Sequence, residues 1–124
     1  MKLTISRSIW LRGTEDSYLL HPENGQRCCV GIYLEALGMP DDTLRSQASA
    51  AALTQQREVN NRTVTDLTPL PKSARWLVTQ HGSHTEAASD LYETNDYPGS
   101  DESDREAEIA RLFAQQGIAV EFTD

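Results

Sequence analysis

The sequence predicts a small α+β domain, with an N-terminal hairpin and a C-terminal strand forming a short antiparallel sheet packed against three to four helices. Three observations carry this expectation. Leu3 and Ile5 alternate with polar residues at the start of the chain, and Ile118, Val120 and Phe122 alternate at its end. Between them, Cys29, Ile32, Tyr33, Ala36 and Leu37 recur at helical spacing, as do Ile109, Leu112, Phe113 and Gln116. The length of 124 residues fits one hydrophobic core, so residues 1–124 are read as a single compact domain.

The elements follow in order. Lys2 to Arg12 reads as a strand with Leu3, Ile5, Ile9 and Leu11 on one face, and Trp10 falls on the other. Core burial is still the better expectation for Trp10 and Trp76, because large aromatics are mostly buried. Gly13 to Ser17 is a polar turn, and Tyr18-Leu19-Leu20 returns as the second hairpin strand. His21 to Gly25 is dense in turn formers. The helix from Cys28 ends at Gly38; Cys29 sits mid-way across its apolar face, and Cys28, Gly31 and Glu35 share the more accessible edge.

Met39 to Asp42 opens a short helix, with Pro40 in its first turn and aspartates at its positive end. Ser46 to Gln56 is alanine-rich and weakly helical. Arg57 to Ser73 is the least regular stretch: Val59, Thr63, Val64 and Thr65 favour a strand, while Pro69 and Pro71 interrupt it. Trp76-Leu77-Val78 is a buried strand or the end of a loop, and Gln80 to His84 is a polar loop. Thr85 to Thr94 is a helix with Ala87, Ala88, Leu91 and Tyr92 inward, closed by a turn from Asn95 to Gly99. A capping box of Ser103 and Glu106 starts the last helix.

Composition narrows the function classes. The chain carries 19 acidic and 11 basic residues, a formal net charge of −8. That balance disfavours direct nucleic-acid binding, which needs clustered Lys and Arg against phosphates. No apolar run approaches a membrane span, and the N-terminal residues show no leader pattern. From Glu86 onward only Arg105 and Arg111 are basic among most of the acids, whereas the N-terminal part is nearly balanced. Cys28 and Cys29 are adjacent and read as free thiols, since a vicinal disulfide is strained.

Candidate chemistry gathers around these cysteines. Cys28, beside Arg27 at a helix start, has a setting that favours a thiolate. The Gln26-x-Cys28 spacing and Gly31 distantly resemble the cysteine helix of papain-like and cell-wall amidase folds. A small cysteine hydrolase would use Cys28 as nucleophile, His81 or His84 as base, and Asn95 or Asp96 to orient it. The bland reading is stronger: Cys29 is a small buried residue, and Cys28 is more often structural. His81-x-x-His84 with two adjacent cysteines is a poor zinc set, because neighbouring side chains diverge. Asp96 to Asp104 lacks the order of a calcium loop. No metal and no cofactor is expected.

The stretch Gly25-Gln26-Arg27-Cys28-Cys29-Val30-Gly31, then Leu91-Tyr92-Glu93-Thr94-Asn95-Asp96, then a terminal helix with Ile109-Ala110, resembles a dispersed group of small bacteriophage proteins. Members carry a Cys-Cys-Leu-Gly element opening a helix and a leucine followed four residues later by Asn-Asp; here Val30 replaces the leucine. The resemblance implies a phage or prophage origin, and with it the host cytoplasm. If its paired motifs approach in space, Cys28, Asn95 and Asp96 line one site, and Arg27, Glu35 and Trp76 complete the candidate binding residues.

The leading expectation is therefore a phage accessory protein acting by binding, as an inhibitor of a bacterial antiviral defence system. It would block a host defence protein with its acidic surface, or sequester a small signalling nucleotide near the N-terminal arginines. The cysteine hydrolase is one alternative; a virion or packaging accessory protein is another. A homo-oligomer is possible.

Overall fold

The computed structural model describes residues 1–14 and 17–124. Its α+β architecture agrees with the sequence-based expectation: the first and last strands do pair. Strand β1 (Lys2–Ser6) lies beside β4 (Ala119–Thr123) in register, Leu3 opposite Val120 and Ile5 opposite Phe122. The pairing is parallel, not antiparallel. Alternation encodes a strand and its buried face but not its direction, and the long intervening chain permits a crossover. That chain holds helices α1 (Cys29–Ala36), α2 (Asp41–Leu44), α3 (Glu86–Asp96) and α4 (Glu102–Ala114).

Among the described residues the expected N-terminal hairpin does not form. Leu19 and Leu20 are buried, but Leu20 makes only a single bridge, to Arg45. The turn expected at Gly13 to Ser17 falls partly outside the described residues. Strand β1 also stops early. The chain turns at Arg7 to Ile9, with the Ile9 N–H donating to the Ser6 carbonyl, and this shifts the alternation. Trp10 is thereby buried and Ile9 is exposed, so Ile9 leaves the face assigned to it.

Hairpin β2 (Gln55–Val59) and β3 (Arg62–Asp66) occupies the stretch that reads as irregular. Asn60 and Asn61 close it at φ 52° and 63°, the left-handed pair that a tight two-residue turn requires. Most of its side chains are exposed, so no buried face imprints an alternation on the sequence. The alanine-rich segment forms one 3₁₀ turn, Ala50–Leu53, and Lys72–Leu77 forms another rather than a strand.

Helix α1 is buried from Cys29 through Leu34, so it has no accessible edge at Cys28 and Gly31. The Tyr18–Leu19 segment crosses there. The Cys28 N–H donates to the Tyr18 carbonyl at 2.9 Å, and a Cβ on Gly31 would lie 1.9 Å from the Leu19 carbonyl oxygen. Glycine is required by that approach. Asp101 caps α4, its carboxylate accepting the Ser103 N–H at 2.9 Å. Ser103 is thus not the cap, and Glu106 instead takes a two-pronged bond from Arg7, at 2.8 and 2.7 Å. Gly117, at φ 75°, turns α4 into β4.

One core cluster joins β1, α1, α3 and α4, with an aromatic group of Tyr33, Trp76 and Phe113 whose ring centroids are 5.5–6.2 Å apart. Among the described residues, no helix is long and apolar enough to cross a membrane.

Candidate functional site

The helix-opening cysteines and the Asn-Asp pair do meet. Helix α3 runs through Asp96, so the closing turn expected from Asn95 begins later, and Asn95 itself is helical and fully buried. Its side chain is saturated. The carboxamide oxygen accepts the Trp10 indole N–H at 2.7 Å and the Cys29 backbone N–H at 3.0 Å. The amide nitrogen donates to the Leu11 carbonyl at 3.0 Å and to the Asp96 carboxylate at 2.9 Å. Its backbone carbonyl accepts from Gly13 at 2.8 Å. A buried amide with all four side-chain valences filled fixes three segments relative to one another.

Cys28 is the N-cap of α1. It sits in extended conformation, and its Sγ accepts the Gly31 N–H at 3.4 Å. Sulfur is a weak acceptor, and the Asn95 oxygen supplies the stronger cap one residue later. Both cysteines are fully buried and free. Burial pushes the Cys28 thiol up to about 11, against partial relief from the Gly31 N–H, and the nearby Asp96 adds to the rise. Burial pushes Cys29 up as well. A thiol held protonated and sealed from solvent is the reverse of an activated nucleophile. No histidine among the described residues is hydrogen-bonded to either sulfur. His84 packs on Tyr92 with ring centroids 5.1 Å apart, and the His21 Nδ1 accepts backbone N–H bonds from Glu23 and Asn24.

Asp96 is half-buried, and its carboxyl is raised from the ordinary value, chiefly by burial and despite the Asn95 amide. It lines a cleft of about 540 Å³ with Ser17, Ser49, His84, Ser89 and Tyr92. The Tyr92 hydroxyl accepts the Ala50 N–H at 2.9 Å. Among the described residues, no group of three His, Cys, Asp or Glu side chains is placed to hold a metal ion.

The other candidate residues lie elsewhere. Arg27 is buried between Glu35, at 3.5 Å, and Asp41, at 2.8 Å, so it ties α1 to the start of α2. Trp76 donates to the Tyr33 hydroxyl at 3.1 Å within the aromatic group. The cysteine and Asn-Asp motifs thus lie side by side, but Cys28 and Asn95 are sealed in the core and only Asp96 lines the cleft, while Arg27, Glu35 and Trp76 have separate structural work. Comparison with protein-family models, curated proteins and solved structures finds no match.

Two features escaped sequence reading. Tyr97 is 61% exposed beside a groove between α3 and α4 whose walls carry Glu93, Asp104 and Glu108. Arg105 is only 4% exposed. Its signal was present: it stands four residues before Ile109, on the buried stripe of α4.

Proposed function

We propose that this chain acts by binding rather than catalysis, its acidic α3–α4 surface occupying a basic groove on another protein. The observation that carries this is the withdrawal of positive charge from that surface. Arg105 is buried and paired with Glu102, and Arg111 is spent on Glu108, while Glu86, Asp90, Glu93, Asp101 and Asp104 stay exposed. Such a field steers association toward a basic patch and is screened by salt. The likeness to phage proteins points to a bacterial antiviral protein that handles nucleic acid as the target, and the host cytoplasm as the place. The sealed Cys28 thiol gives the hydrolase alternative no support.

The test is to recover the partner from host lysate and measure its affinity at rising salt, for the wild type and for Asp90→Lys/Asp104→Lys. Binding that weakens steeply with salt and is lost in the double variant is expected. Salt-insensitive binding overturns the reading.

A further inference from the structure

Hairpin β2–β3 leaves a strand edge bare. Its sheet has two strands, so among the described residues β3 has no neighbour on the side away from β2. The two-residue turn makes Val59 and Arg62 a hydrogen-bonded pair, and the ladder alternates from there, so Arg57–Val64 and Gln55–Asp66 are bonded pairs too. Thr63 and Thr65 therefore aim their backbone N–H and C=O groups outward, and neither has a backbone partner among the described residues. The Gly82 loop lies against the Gln56 and Thr65 side chains, which pair across one face, so it covers part of that face and leaves the outer edge. Sheet edges are usually blunted by proline, lysine or a bulge. Strand β3 carries none of these, and its Val64 is 38% exposed.

We propose that β3 is a dimerisation edge, pairing antiparallel with β3 of a second copy of this chain about a two-fold axis at Val64. The strand reads Arg62-Thr63-Val64-Thr65-Asp66, which complements its own reverse. With Val64 opposite Val64 of the second copy, Thr63 faces Thr65 and Arg62 faces Asp66, at both ends of the strand. The bonding phase agrees with this register. Thr63 and Thr65 meet as the bonded pairs, and Val64 and the Arg62–Asp66 pairs fall at the non-bonded positions, where Cα atoms approach to about 4.5 Å and side chains touch most closely. Moving the axis to Thr63 or Thr65 sets Arg62 or Asp66 opposite Val64 and leaves the charges unmatched. Both charges are ready for a partner. Arg62 is exposed and makes no ion pair with a described residue. The Thr68 N–H and hydroxyl both bond Oδ1 of Asp66, at 3.0 and 2.7 Å, so Oδ2 is left for a guanidinium. Two chains of net charge −8 repel, but the hairpin itself balances Arg57 and Arg62 against Glu58 and Asp66, and charge beyond a Debye length of about 8 Å is screened. An isolated hairpin is marginally stable, and pairing turns it into a four-stranded sheet with an isologous contact. This edge is separate from the acidic α3–α4 surface and stands or falls without it.

The experiment is sedimentation velocity of the full chain from about 10 µM to about 1 mM, the range in which short interfaces associate. The mass is expected to rise with concentration from 13.8 kDa toward twice that value. Arg62→Asp alone and Asp66→Arg alone should each weaken self-association by about tenfold or more, because like charges then face each other. Mixed in equal amounts, the two variants should form a 1:1 heterodimer, since each supplies the charge the other lacks. A wild type that stays monomeric throughout overturns the proposal and leaves the edge to a strand of another protein or to none. Variants that dimerise as the wild type does, or a mixture no stronger than its components, overturn it as well. Asp66→Arg also loses the Thr68 bonds, so a second pair of variants decides if it fails to fold. Val64→Cys places a thiol opposite its own counterpart, while both natural thiols are buried, so mild oxidation should yield a disulfide-linked dimer. Thr63→Cys faces Thr65 of the second copy and should not. No cross-link in Val64→Cys, or equal cross-linking in both variants, overturns the register.

Discussion

The carboxamide oxygen of Asn95 accepts the backbone N–H of Cys29, so the start of α1 is capped by a side chain 66 residues further along the chain. The same oxygen holds the Trp10 indole. Asn95→Ala leaves two buried donors unpaired and should cost about 2–4 kcal/mol in urea unfolding. Asn95→Asp should be at least as harmful, because it places a second carboxylate beside Asp96 and removes the donor to Leu11.

Both thiols should stay unlabelled by iodoacetamide in the native protein at pH 8 and react only on unfolding. The folded Cys28 thiol ionises near 11 and the unfolded one near 9, so above pH 9 the unfolded state binds fewer protons. Stability therefore falls as pH rises from about 9 to 11, by on the order of 2 kcal/mol for Cys28. Replacing Cys28 with Ala should flatten that part of the stability–pH curve.

Asp96 titrates with the opposite usefulness. Its folded carboxyl is raised by burial, so its ionisation above the ordinary carboxylate range works against the fold. Asp96→Asn keeps an acceptor for the Asn95 amide and should be neutral or stabilising at pH 7, read as an unchanged or higher melting temperature.

Glu106 behaves in the usual way. The Arg7 bonds lower its carboxyl, so its contribution is present above the unfolded value and is lost as pH falls through the folded one. Glu106→Gln should cost about 0.5–1 kcal/mol at pH 7 and progressively less as pH falls below the ordinary carboxylate range.

Gly31→Ala is a substitution that helix propensity favours and this structure forbids. The new Cβ would overlap the Leu19 carbonyl, so a loss of about 1–3 kcal/mol or more is expected in thermal unfolding, with the Tyr18–Leu19 segment displaced.

These residues also show what was legible in the sequence. Periodicity located β1, α1, α3, α4 and β4 because each presents a buried face; β2 and β3 present none, so they left no pattern. The pairing of Cys28 with Asn95-Asp96 followed from motif order, but the fate of the individual side chains did not. Whether Cys28 faces solvent depends on where Tyr18 and Leu19 cross α1, and that is a tertiary contact. Arg105 was legible only as a charge, although its place on the apolar stripe of α4 marked it as buried.

The most direct test of binding through the acidic face is native mass spectrometry of the protein after incubation with host lysate, at low and raised ionic strength. A protein-sized addition at low salt that disappears at raised salt is predicted. An addition that survives the salt, or a spectrum that never changes, contradicts the account.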